Sequence, residues 1–242
     1  MGDGEPKRDL PDNPPANASH QPHHVGHRER LRSRFLKDFG QSMPDYELVE
    51  LLLTLAIPRR DVKPLAKELL AKFGGMPGLI AASGEELAAF GLKDGAITAI
   101  KIVQAAMIRS LKVEVETAHV ISSWDRLIDY LKASMGREKV EQVRLLFLDA
   151  RLRLIADELQ QRGTVNHTPL YPREVVKRAL ELNASSLILV HNHPSGDTTP
   201  SREDIAMTLE IRDALGKIGI AVHDHVIIGR GKTSSFKTLG LL

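Results

Sequence analysis

The sequence predicts an α/β domain in the second half of the chain, a sheet with helices packed on it, preceded by a small all-helical domain. Three observations lead there. Apolar residues recur with helical spacing from about 26 to 112, and no strand pattern interrupts them. Past about 140 the period changes, and apolar runs of strand length appear at 143–148, 152–159 and 186–190. Helical segments alternate with these runs, which is the order expected of a sheet covered by helices.

Composition bounds the chemistry before any element is placed. The chain has 242 residues, room for one large domain or two small ones. Its 33 Lys and Arg against 31 Asp and Glu leave a net charge of +2, too balanced to point to nucleic acid by itself. It contains no cysteine, which excludes disulfides, thiolate metal sites and a cysteine nucleophile. Any metal must therefore sit on histidines and carboxylates. No apolar run approaches the roughly 18 residues of a membrane span, and the N-terminus has no apolar leader core. The expectation is a soluble cytoplasmic protein with no membrane partner.

The elements follow in order. Residues 1–25 are rich in Pro, Gly, Asn and charge, and read as a disordered tail. The tail and its edge carry His20, His23, His24 and His27, expected to be solvated rather than metal-binding. In the helical domain, 26–112, Asp45 is placed to cap a helix bearing Leu48, Leu51, Leu52 and Leu55, which Pro58 stops. A second helix covers 61–73 and ends at Gly74 and Gly75. Ser83 with Glu86 forms a capping box for a short third helix. A fourth covers 96–111, with Ile97, Ile100, Val103 and Met107 on one face.

Residues 113–122 read as an extended linker into the second domain, 123–242. A helix is expected at 123–135, then strands at 143–148 and 152–159 and a third at 163–167. Pro172 opens a helix carrying Val175, Val176, Ala179 and Leu180. The run 186–190 is a buried central strand, 201–218 a helix and 220–228 a further strand.

The chemistry-bearing segment follows the buried strand directly. It reads His191-Asn192-His193-Pro194-Ser195-Gly196-Asp197, then Pro200-Ser201-Arg202-Glu203-Asp204. His191 and His193 are two apart, so on extended backbone both imidazoles point the same way. Asp204 falls on the first turn of the next helix, which a loop containing Pro and Gly can bring back to the strand end. Two imidazoles and a carboxylate leave a fourth tetrahedral position open, as in catalytic rather than structural zinc sites. Ser201-x-x-Asp204 is also a capping-box pattern, and an Asp is ordinary in a first helical turn.

These residues resemble the JAMM (MPN+) metallopeptidase motif in the wording of the RadC family. The likeness extends to Pro172-Arg173-Glu174, to Asp224-His225, and to the stretch from Tyr46 to about Arg109. The resemblance implies a JAMM/MPN fold, similar to cytidine deaminases, with zinc held by His191, His193 and Asp204. It implies a metallopeptidase or isopeptidase type of hydrolase acting on a protein or peptide. It also implies an upstream glutamate as general base, standing at the start of an early strand. Of the candidates Glu141, Glu158 and Glu174, Glu141 matches that place; Glu174, near a helix N-terminus, is the alternative. Ser201 is a candidate donor to the developing oxyanion, with N-cap of its helix an equally natural role.

Rival readings are weaker. His223-Asp224-His225 repeats the spacing but has no third ligand nearby in sequence, so it is expected to be structural, with Asp224 supporting a ligand histidine. His191-Asn192-His193 spells H-N-H, but that nuclease motif needs a metal finger with widely spaced residues. A zinc deaminase needs cysteine ligands, which are absent. The resemblance further suggests a helix-hairpin-helix-like element in the helical domain, with DNA as a partner through Gly91-Leu92-Lys93-Asp94-Gly95. There the second glycine is displaced and Asp94 opposes phosphate. The arginines at 28, 30, 32 and 34 read as one solvated helix face. A DNA-associated protein is thus the alternative function.

Overall fold

The structure is a computed structural model that describes residues 25–117, 119, 120, 122–162 and 170–242. The expected tail up to residue 24, with His20, His23 and His24, lies outside the described residues, as does the strand expected at 163–167. Among the described residues seven helices come first: α1 (Val25–Asp38), α2 (Asp45–Ala56), α3 (Lys63–Phe73), α4 (Met76–Ala81), α5 (Gly84–Ala89), α6 (Asp94–Thr117) and α7 (Trp124–Met135). Then follow β1 (Gln142–Leu148), β2 (Leu154–Arg162), α8 (Pro172–Glu181), β3 (Ser186–Asn192), α9 (Arg202–Gly216), β4 (Ala221–Ile228) and β5 (Thr233–Ser235). None of the described helices is long and apolar enough to cross a membrane.

The chain forms two compact units, residues 1–66 and 67–242, with α3 running through the division. In the first unit α1 is tied to α2 by Arg34 on Glu47 at 2.9 Å and by His27 on the buried Glu50 at 2.8 Å. His27 is thus a packing residue rather than part of a solvated tract. Arg28 donates to the carbonyl of Ile57 at 3.1 Å, just past the end of α2, where free carbonyls need donors. Arg30 and Arg32 stay exposed, as a solvated face requires. Asp45 does not cap α2. Pro44 takes that place without a side-chain bond, and Asp45 stands in the first turn, where a negative charge suits the helix dipole.

In the second unit Ser83 and Glu86 make the expected capping box on α5. Gly91 adopts φ +102°, while Gly95 lies inside the first turn of α6. Residues 113–117 are not an extended linker. They complete α6, because Val115 and its neighbours Ile108 and Leu111 have an apolar surface to reach, packing with Leu127, Leu131 and Met135 of α7.

Among the described residues the sheet is mixed, in the order β2-β1-β3-β4-β5, with only the β3–β4 pair parallel. Strand alternation sorts the two faces. Leu146, Leu148, Ile188, Val190, Val226 and Ile228 face α6 and α7. Leu145, Phe147, Leu187 and Leu189 face α8 and α9. β3 is buried at every position, which explains its unbroken apolar run. Arg144 interrupts the apolar run of β1, and its Nη1 reaches Asp157 at 3.2 Å and the Tyr130 hydroxyl at 3.3 Å. On the other face Glu158 of β2 is clasped by Arg178 of α8 at 2.6 Å.

Candidate metal centre

The odd-numbered side chains of β3 face α8 and α9, so His191 leaves the strand on that side, fully buried. The β3–β4 pairing continues one residue past the strand, where the N–H of His193 donates to the carbonyl of Ile228 at 2.9 Å. That bond keeps the backbone extended through His193 and sets its ring beside that of His191. The loop then turns back over Gly229. A Cβ there would come within 2.6 Å of the Gly196 carbonyl, so only glycine lets the loop press this closely.

α9 returns the third group. Asp204, Thr208, Ile211 and Leu215 are buried at helical spacing, so one stripe of α9 lies on the sheet with Asp204 at its start. The nitrogens His191 Nε2 and His193 Nε2 lie 2.8 Å apart. Asp204 Oδ1 is 3.2 Å from the first and Oδ2 is 3.5 Å from the second. The three ligand atoms lie within 4.8 Å of one another, a group that can hold one metal ion.

The capping and ligand readings of Asp204 do not compete. Its Oδ2 accepts from the Ser201 N–H at 2.8 Å, and Ser201 Oγ accepts from the Asp204 N–H at 3.0 Å. This capping box fixes the carboxylate while leaving Oδ1 turned to His191. Ser201 is therefore the N-cap of α9. Its bond to Asp204 uses an oxygen lone pair and not the hydroxyl hydrogen.

The donor set fits a cation. His193 Nδ1 lies 2.6 Å from the carbonyl of Asp197, which can only accept, so Nδ1 carries the hydrogen. In the neutral ring Nε2 then offers a lone pair toward another imidazole and a carboxylate. Such a convergence of electron pairs calls for a positive charge between them. A proton meets that need in part: the hydrogen bond to Asp204 raises His193 above the ordinary histidine value against burial, helped by the Asp197 carbonyl and the charges of Asp204 and Glu141. Burial opposes ionisation of Asp204, yet the adjoining His191 and His193 rings and Ser201 hold its carboxyl far below the usual range.

The glutamates separate clearly. Glu158 is held by Arg178. Glu174 is more than half exposed and pairs with Arg173 at 3.1 Å in the first turn of α8. Glu141 precedes β1, whose antiparallel register sets Val143 against His191. Glu141 lies two residues before that pair, and its charge acts on the His193 ring. Asn192 secures this segment. Its Oδ1 accepts from the Gln142 N–H at 2.9 Å, and its Nδ2 donates to the carbonyls of Glu138 at 3.3 Å and Val140 at 3.2 Å.

Asp224 does not support a ligand histidine. Its carboxylate accepts from its neighbour's His225 N–H, the Ser235 hydroxyl and the Lys237 N–H, and so secures the turn after β5. His225 is the residue that reaches the site, with Nε2 at 2.7 Å from His191 Nδ1. The sequence marks His225 only within the Asp224-His225 likeness and the rival pair, Asn192 only as the residue between the two histidines, and Thr208 and Gly229 not at all. Each acts through a contact with a segment distant in sequence.

Comparison with known proteins gives the family. The family described as the RadC-like JAB domain matches residues 121–241, which include every residue of the metal centre. A UPF0758 protein of Ruegeria pomeroyi is 52% identical over 217 residues, 89% of this chain and 97% of its own. A UPF0758 protein of Rhodobacter capsulatus is 53% identical over 213 residues, 88% of this chain and 100% of its own. With a RadC-like JAB domain over half its length and such identity to relatives across most of the rest, the chain belongs to the RadC family.

Proposed function

We propose that the protein is a zinc-dependent hydrolase that cleaves an amide bond, peptide or isopeptide, in a protein or peptide substrate. The observation that carries this reading is the convergence of His191 Nε2, His193 Nε2 and the Asp204 carboxylate on one position, beyond the carboxyl end of β3. Three ligands of this kind leave a coordination position free, the mark of a catalytic zinc. When bound, the metal supplies Lewis-acid activation of water and of the substrate carbonyl near neutral pH. Glu141, whose charge acts on the His193 ring, accepts the proton of the attacking water and delivers it to the departing amine. Ser201, at the start of α9, directs its hydroxyl hydrogen to the developing oxyanion. The capping box keeps Asp204 from rotating away as charge builds.

The test begins with metal content of the chain purified without added metal. About one zinc per chain is expected in the wild type and in Glu141→Gln, following three-ligand stoichiometry. Hydrolysis of a peptide library is expected to fall by about a hundredfold or more in Glu141→Gln, the size of a general-base contribution. A wild-type chain without metal overturns the reading. Full activity in Glu141→Gln removes that residue from the base role.

A further inference from the structure

His191 has two ring nitrogens, and the position of its one hydrogen decides whether it is a ligand. Nδ1 faces His225 Nε2 at 2.7 Å, and Nε2 faces His193 and Asp204. Only the tautomer with hydrogen on Nδ1 presents a lone pair to a metal.

Donor and acceptor counting settles which form the fold favours. The main-chain carbonyl of Asp204 has lone pairs only. Thr208 Oγ1 lies 2.6 Å from it, so the single hydroxyl hydrogen of Thr208 is committed there. The same oxygen lies 2.6 Å from His225 Nδ1 and can now only accept, so Nδ1 of His225 carries a hydrogen. His225 is fully buried and stacks on the Phe236 ring at 4.4 Å. Among the described residues no carboxylate oxygen is bonded to either of its ring nitrogens. A charged ring in such a place is costly. His225 Nε2 is therefore an acceptor, and His191 Nδ1 must donate to it.

We infer that Thr208 and His225 are positioning residues: they relay hydrogen bonds from the Asp204 main-chain carbonyl to His191 and hold its Nε2 lone pair toward the metal position. The inference rests on the metal-centre reading above. The relay begins on the backbone of one ligand and ends on the ring of another, so Asp204 and His191 are oriented together. Neither residue touches the metal or the substrate. His193 is set in the same tautomer by a shorter route, directly from the Asp197 carbonyl.

The test is long-range proton–nitrogen NMR of the full chain carrying ¹⁵N-histidine, metal-free, at mildly alkaline pH. The wild type is expected to show hydrogen on Nδ1 and none on Nε2 for both His191 and His225. Thr208→Val is expected to release both rings from this form and to weaken zinc binding by about 10- to 100-fold, the usual loss for a support of a ligand. Thr208→Ser is expected to restore both. Hydrogen on Nε2 of His191 in the wild type overturns the relay, as do unchanged tautomers and zinc affinity in Thr208→Val. The wild-type spectrum alone decides if Thr208→Val does not fold. Relay tautomers in a chain that binds no zinc would reject the metal reading and keep the relay. Zinc binding with the opposite His191 tautomer would reject the relay and keep the metal reading.

Discussion

The chain carries two His-x-His pairs on neighbouring parallel strands, and they do different work. On β3 the pair 191 and 193 straddles the strand's carboxyl end, so both rings emerge where α9 begins. On β4 the pair 223 and 225 lies inside the strand, and the register sets His225 against Leu189, two residues short of His191. His225 therefore supports His191 from below. His223 is left half-buried, and burial and the nearby Lys237 charge push it below the ordinary histidine value, with Asp224 opposing. Equal spacing thus says nothing about role. Position relative to the strand end decides it, because ligands in such sheets gather outside the carboxyl ends.

The largest expected effect breaks this comparison at its centre. His191→Ala and Asp204→Ala are each expected to lose nearly all bound zinc, measured per chain after purification. His223→Ala is expected to keep the wild-type content. Zinc that follows His223 instead would transfer the site to β4.

A smaller effect is expected at the residue between the ligands. Asn192→Ala leaves the buried Gln142 N–H and two carbonyls without their partner. Destabilisation of about 1–3 kcal/mol is expected for such orphaned groups, read in thermal or denaturant unfolding. Turnover is expected to fall while zinc stays bound, because Glu141 and not the ligand set loses its anchor. Unchanged stability and turnover would show that the 138–142 segment is held by other contacts.

The mildest effect comes from pH, which separates the pairs by sign. The metal-free His193 holds its proton above the ordinary 6.5, chiefly through Asp204, so a metal must displace it. Zinc affinity is expected to fall as pH drops through that raised value, by about tenfold per pH unit for one competing proton. His223 is shifted the other way, so His223→Ala should leave this profile unaltered. A profile that moves with His223→Ala would couple the two pairs.

Much of this was readable from residues alone. The buried strand at 186–190, the capping box Ser201 with Asp204, and Pro172 at the opening of α8 are local signals, set by periodicity and by neighbours a few residues apart. The ligand triad is also nearly local, since a strand, a loop and one helical turn join it. The extended linker at 113–117 was misread because helix propensity there is weak, and only the apolar face of α7 completes α6. The choice of Glu141 over Glu174 as base rests on the resemblance, and sequence shows neither the Arg173 beside Glu174 nor the β1–β3 register.

By itself, then, the sequence determined which groups of the protein can bind a metal, and that they follow a buried strand within one turn of a helix start. Tertiary structure alone decided what surrounds them. Thr208 meets His225 because α9 lies across β4, Asn192 meets the 138–142 segment because β1 runs antiparallel to β3, and Gly229 meets the ligand loop because β4 ends beneath it. Hydrogen-bond direction passes through such contacts, and they join segments 17 to 54 residues apart. Local patterning has no term for them, so the tautomers of these histidines are a property of the folded chain.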